Sequence, residues 1–157
     1  MTVSLSLILP REKPLFSAAL APYFNEVMPS LTIDPGKRAA QMLHRKDVTA
    51  FWVLMDAKRV GFAIVLNLPD DRREFSEFAI FPQHRRNGLG QEAAQLLLHE
   101  FPGFWRMGIS AYSKDAAAFW GTCLSTIPGL IELHEGAPFT EHQSKSYSFE
   151  IKGPEHD

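Results

Sequence analysis

"FPQHRRNGLGQEA", residues 81–93, joins two runs of different character. The run before it, "REFSEFAIF" at 73–81, is rich in Phe and Ile and reads as a strand. Behind it, Leu89, Ala93, Leu96 and Leu97 recur at steps of three and four, which predicts a helix with one apolar stripe. The junction carries Arg85, Arg86, Gly88 and Gly90. The first amides of a helix have no partner inside it, and the helix dipole makes that end attractive to anions. Gly88 and Gly90 leave the backbone bare, and two arginines can bond phosphate oxygens. The parts of a diphosphate cradle are present. The plain alternative is a turn with two solvated arginines and a glycine used for close packing.

Two familiar cradles do not fit. A nucleoside-triphosphate loop needs Lys and Ser or Thr after its last glycine, and here Gln91 and Glu92 follow Gly90. The dinucleotide fingerprint needs its first glycine directly after the strand and an acidic residue about 20 positions on. Residues 82–87 intervene, and Ile109 and Ser110 stand in the expected acidic region.

Outward from the junction, the order of elements is readable. "VSLSLIL" alternates as a strand until Pro10. "PLFSAALAPYFNEV" has helical spacing, with Pro22 expected to kink or divide it. "KRAAQMLHR" is a second helical piece after Asp34, Pro35 and Gly36. "TAFWVLMD", "KRVGFAIVLN" and "REFSEFAIF" read as an antiparallel meander with short turns. After the junction helix, Pro102 and Gly103 stop it, "FWRMGISAY" is strand-like, and Ala116, Phe119, Trp120 and Cys123 mark another helix. "LIELHE" and "KSYSFEIK" close the chain as strands. The expected class is mixed α/β, with about four helices flanking one twisted, mostly antiparallel sheet.

With this order in place, "PQHRRNGLGQEAAQLLL" resembles the acyl-CoA-binding motif of the GCN5-related N-acetyltransferases (GNAT), Arg/Gln-x-x-Gly-x-Gly/Ala after a strand ending near proline. Arg85, Gly88 and Gly90 match its defining positions, and Pro82 the common proline. "GISAYSKDAAAFWGTCL" resembles the family's fifth strand and fourth helix. The resemblance implies one GNAT-like domain over 1–152 and a frayed tail at 153–157. It implies that Ile80 and Phe81 lie along the pantetheine arm through backbone groups. Arg85, Arg86, Asn87, Gly88, Leu89, Gly90 and Gln91 would wrap the diphosphate. Phe78, Ser113, Ala116, Phe119 and Trp120 would also meet the cofactor.

Transfer of acetyl to an amine requires a base for the nitrogen's proton and a donor for the thioester carbonyl. The resemblance places the base near the start of the motif strand. Strand alternation puts Glu74, Ser76 and Phe78 on one face and Glu77 on the other, absent a bulge. Glu74 is therefore favoured, with Glu77 in reserve; the plain alternative pairs both with Arg72 and Arg73. The family's usual leaving-group acid is a tyrosine in the fourth helix, and Trp120 stands there instead. An indole N–H is no practical acid, which leaves Tyr112 and Ser113 as nearby hydroxyls.

Composition bounds the rest. Net charge −2, from 16 basic and 18 acidic residues, argues against nucleic acid as partner. One cysteine, Cys123, allows no internal disulfide and reads as a buried inert thiol. The run Val3–Leu9 is too short to span a bilayer, and its charges follow rather than precede it, so a cytoplasmic protein off the membrane is expected. Six histidines lack ligand spacing, so no metal is expected. The expected function is acetyl-CoA-dependent N-acetyl transfer to a small-molecule or protein amine, with a homodimer left open. The alternative is a non-catalytic acyl-CoA sensor or scaffold of the same fold.

Overall fold

The computed structural model describes residues 2–153; the tail expected to fray lies outside the described residues from 154 onward. In chain order the elements are β1 (Val3–Leu7), α1 (Lys13–Val27), α2 (Pro35–His44), β2 (Val48–Met55), β3 (Lys58–Asn67), β4 (Arg73–Ile80), α3 (Leu89–Glu100), β5 (Gly103–Ser110), α4 (Lys114–Leu124), β6 (Leu130–Gly136) and β7 (Gln143–Ile151). Every predicted element is present in the predicted order.

All seven strands form one sheet, ordered β1-β2-β3-β4-β5-β7-β6. Each neighbouring pair is antiparallel except β4 and β5. Helices cover both faces over the first half of the sheet, so β2 and β3 read as near-continuous apolar runs. On one face, Phe16, Leu20 and Phe24 of α1 and Met42 of α2 pack on Trp52, Phe62, Ile64 and Ala79. On the other, α3 and α4 bury Leu97, Leu98, Trp120 and Cys123 against Phe51, Val65, Phe75 and Met107.

Three expectations are corrected. Pro22 does not divide α1, which runs unbroken; the proline is exposed, on the side where a helix can bend toward solvent. The stripe of α3 includes Ala94 and Leu98, while Leu96 is exposed, because a helix seated on a sheet buries a wider face than a three–four count marks. The third correction concerns β4. Ile64 pairs with Glu77 but Val65 with Phe75, so Ser76 is a bulge. The extra residue reverses alternation across it. Phe75 and Phe78 share the α3–α4 face, with ring centroids 5.4 Å apart. Glu77 shares the opposite face with Ala79.

Candidate active site

The site arises where the sheet comes apart. β4 and β5 pair only at Arg73–Trp105 and Glu74–Arg106, and then diverge. The Arg106 Nε donates to Glu74 Oε1 at 2.8 Å, clamping the two strands at the apex. At the open end, Ser110 Oγ donates to the Val27 carbonyl at 2.7 Å, tying β5 to the end of α1. Between these points lies a cleft of about 510 Å³, walled by α1, β4, the junction loop and α4.

Along β4 the backbone points alternately toward β3 and toward the gap. The Phe81 N–H donates to Val60 O at 2.8 Å, so Phe81 faces β3 and is not free for a pantetheine arm. Ile80 and Phe78, one and three residues back, direct their backbone N–H groups to the other side, toward the cleft that both residues line. The Phe78 ring lies flat on Phe119, with centroids 5.9 Å apart and planes at 8°.

At the junction, Gly88 has φ +75° and serves as the N-cap of α3 with no side-chain cap. The Glu92 N–H bonds the Gly88 carbonyl, so the amides just before it have no partner inside the helix. A Cβ on Gly88 would meet nothing within 4 Å, so the loop is open toward the cleft there. Gly90 is different: a Cβ there would stand 3.0 Å from Phe119 Cε2. Close packing of α3 on α4 requires that glycine, as the plain alternative held. Gly88→Ala is expected to cost about 1–2 kcal/mol through its left-handed backbone, measurable by denaturant unfolding.

Arg85 is already engaged. Its Nη1 and Nη2 donate to Glu26 Oε1 and Oε2 at 3.2 and 3.0 Å, and its Nε to Ile80 O at 2.7 Å. It buttresses the loop against α1 and the end of β4. Arg86, which also lines the cleft, makes no salt bridge among the described residues. Arg85→Ala is expected to lower stability by roughly 1–2 kcal/mol from the lost pair and hydrogen bond, read in the same unfolding experiment.

The structure brings Phe78, Ile80, Arg85, Arg86, Gly88, Gly90, Gln91, Ala116, Phe119 and Trp120 to the cleft wall. Four other predicted contacts lie off it. Asn87 is exposed, and Leu89, the first residue of α3, is buried with Val53, Val60 and Ile80. Phe81 packs toward α1 and α2. Ser113 caps α4, accepting from the Ala116 N–H at 3.1 Å. Tyr112 is 44% exposed and sits beside His142, outside the cleft lining. Cys123 is buried, and burial pushes its thiol up to about 11, so it is no nucleophile.

The two glutamates share one face of β4, where strand alternation had placed them on opposite faces. Glu74 is paired with Arg106 rather than with Arg72 or Arg73. The bulge brings Glu77 onto the same face, where it accepts a hydrogen bond from Tyr23 Oη of α1. Burial raises the Glu77 carboxyl to about 7, against the opposing pull of Tyr23 and Arg38; Glu74 adds to the rise. A carboxylate near 7 is well matched to general-base work. Tyr23, Glu26 and Val27 were not anticipated as site residues. Tyr23 and Glu26 stand three apart on α1 and so share a face, but only the fold shows that this face meets the cleft.

Among the described residues no helix is long and apolar enough to cross a membrane, and no group of three or more His, Cys, Asp or Glu could hold a metal.

Residues 14–121 match the acetyltransferase (GNAT) family. No curated protein sequence matches the chain. Among solved structures, an acetyltransferase from Thermus thermophilus is similar at 18% identity and TM-score 0.69, covering 94% of this chain and 96% of that one. The ribosomal-protein-S18-alanine N-acetyltransferase from Escherichia coli gives 16% identity and TM-score 0.61 over 96% and 93%. PaiA N-acetyltransferase from Thermoplasma acidophilum, in complex with coenzyme A, gives 8% and 0.63 over 97% and 100%. At these identities the likeness is one of fold.

Proposed function

The chain belongs to the acetyltransferase (GNAT) family, and from that premise we propose that it transfers acetyl from acetyl-CoA directly to an amine of a small molecule or protein. The observation that carries this reading is the divergence of β4 from β5, which opens backbone groups of one strand onto an apolar cleft ending at an uncapped helix. A thin acyl-pantetheine arm suits that cleft. Its diphosphate suits the bare α3 entrance, with Gly88 for close approach and Arg86 for charge. That PaiA, of the same fold, was solved with coenzyme A supports the assignment.

Acetyl-CoA would supply the activated carbonyl. The chain's own groups do the rest. Ile80 offers a backbone N–H group that β5 leaves unpaired, where the thioester carbonyl needs a donor, while the Phe78 N–H is turned to the Tyr23 hydroxyl. Glu77 accepts the proton that the amine loses. Phe119 and Trp120 line the cleft and exclude water. Glu74 holds the apex shut through Arg106. No hydroxyl beside α4 takes the role of acid, and none is demanded, since a thiol ionises near 8.5 and leaves readily as thiolate.

The test is release of free thiol from acetyl-CoA against a panel of amines. Release that depends on the amine is expected. Binding of acetyl-CoA with no amine-dependent release would support the sensor instead.

A further inference from the structure

We propose that Tyr23 is a catalytic relay, carrying the amine's proton from the cleft to Glu77; the inference rests on the transfer reading above. The geometry is specific. Tyr23 lines the cleft and Glu77 does not, yet the Tyr23 hydroxyl donates directly to Glu77 Oε2. The phenol therefore stands between the place where the amine must attack and the group able to keep its proton. Its hydroxyl also lies against the Phe78 amide, on the strand that would hold the thioester. The ring is fixed edge-on to Phe62 at 5.3 Å and against Phe24 at 5.4 Å, so the hydroxyl has one position.

The surrounding charges single out this pair. Glu26 of α1 is occupied by Arg85, and Glu74 of β4 by Arg106. Arg38 of α2 acts on Glu77 by its charge, without a hydrogen bond among those described. Of the three carboxylates gathered here, Glu77 is the one bonded to a neutral phenol. Burial, and next the Glu77 charge, hold the Tyr23 hydroxyl well above its ordinary value. A standing tyrosinate is thereby disfavoured, and both protons move together.

The step balances. The amine nitrogen bonds to the thioester carbonyl carbon, the C–S bond breaks, and its electron pair leaves on sulfur. The nitrogen's proton passes to Tyr23 Oη as the phenol's own proton passes to Glu77. Tyr23 ends as it began, Glu77 ends protonated, and the products are the amide and a thiolate.

The experiment compares the pH profiles of transfer in the wild type, Tyr23→Phe, Glu77→Gln and the double variant, with one amine throughout. Tyr23→Phe keeps the ring contacts and removes only the hydroxyl. Loss of that hydrogen bond alone would move the Glu77 midpoint upward and leave the alkaline plateau intact. A relay predicts that the plateau itself falls, by about 10²-fold or more, and that the double variant is no slower than the slower single one. A plateau as high as the wild type's, with Glu77→Gln slow, would overturn the relay and leave the transfer reading standing. A wild type that transfers to no amine would remove both. Rates in H2O–D2O mixtures give a check that needs no variant: two protons in flight bow the plot, and a linear plot contradicts the relay.

Discussion

Glu77→Gln is expected to slow acetyl transfer by about 10²–10⁴-fold, the usual contribution of a positioned general base, with acetyl-CoA affinity unchanged. The wild-type rate should rise with pH through about 7, where Glu77 loses its proton, and then flatten. In the variant that rise should vanish, leaving only the dependence set by the amine's own ionisation. Glu74→Gln should keep the rise, since Glu74 is held by Arg106 at the strand apex. Stability gives an independent reading. The Glu77 carboxyl sits near 7 in the fold against an ordinary 4.5. Between those values the folded chain binds the proton and the unfolded chain does not, so the stabilisation from protonated Glu77 is full below about 4.5 and lost as pH rises through 7. Glu77→Gln should therefore be more stable than the wild type at pH 8 and gain little at pH 4. Chemical denaturation at both pH values checks the sign.

Trp120→Ala is expected to cost about 3–5 kcal/mol, the range for truncating a buried aromatic residue. Trp120 is 8% exposed and meets Phe119, Phe75 and Phe78 at centroid distances of 4.8, 5.0 and 5.4 Å. Those rings join α4 to β4, so the truncation empties the wall that the thioester would pass. Such a loss is a large part of the roughly 5–15 kcal/mol that holds an ordinary domain together. Trp120→Phe should retain most of the stability and the transfer rate, because the indole packs and supplies no proton. Thermal unfolding and the thiol-release rate of the two variants decide it. Abolished turnover in a stable Trp120→Phe would give the indole a chemical role.

Local pattern carried the fold far. The meander was readable because β2, β3 and β4 are dense in Val, Ile and Phe, and α4 because Ala116, Phe119, Trp120 and Cys123 recur at helical spacing. The junction glycines suggested either an anion site or a turn with a close-packing glycine, without telling which glycine does what. Only the packed structure shows that Gly88 serves the turn and Gly90 the contact with Phe119. The bulge at Ser76 was illegible for a physical reason. A bulge is a mismatch in pairing with β3, so it has no periodicity of its own within β4. That single residue moved Glu77 onto the face expected for Glu74 alone. Tyr23 was hidden in another way: nothing in α1 tells which of its apolar-edge residues will face a gap formed by strands far along the chain.

The proposed function requires the cleft between β4 and β5 to hold acetyl-CoA with its diphosphate at the entrance of α3. Calorimetric titration of the wild type with acetyl-CoA and with S-acetyl-pantetheine, which lacks the diphosphate, tests it most directly. Acetyl-CoA should bind far more tightly than the fragment, because the helix amides and Arg86 contact only the former. No binding of acetyl-CoA, or equal affinity for the two, would contradict the claim.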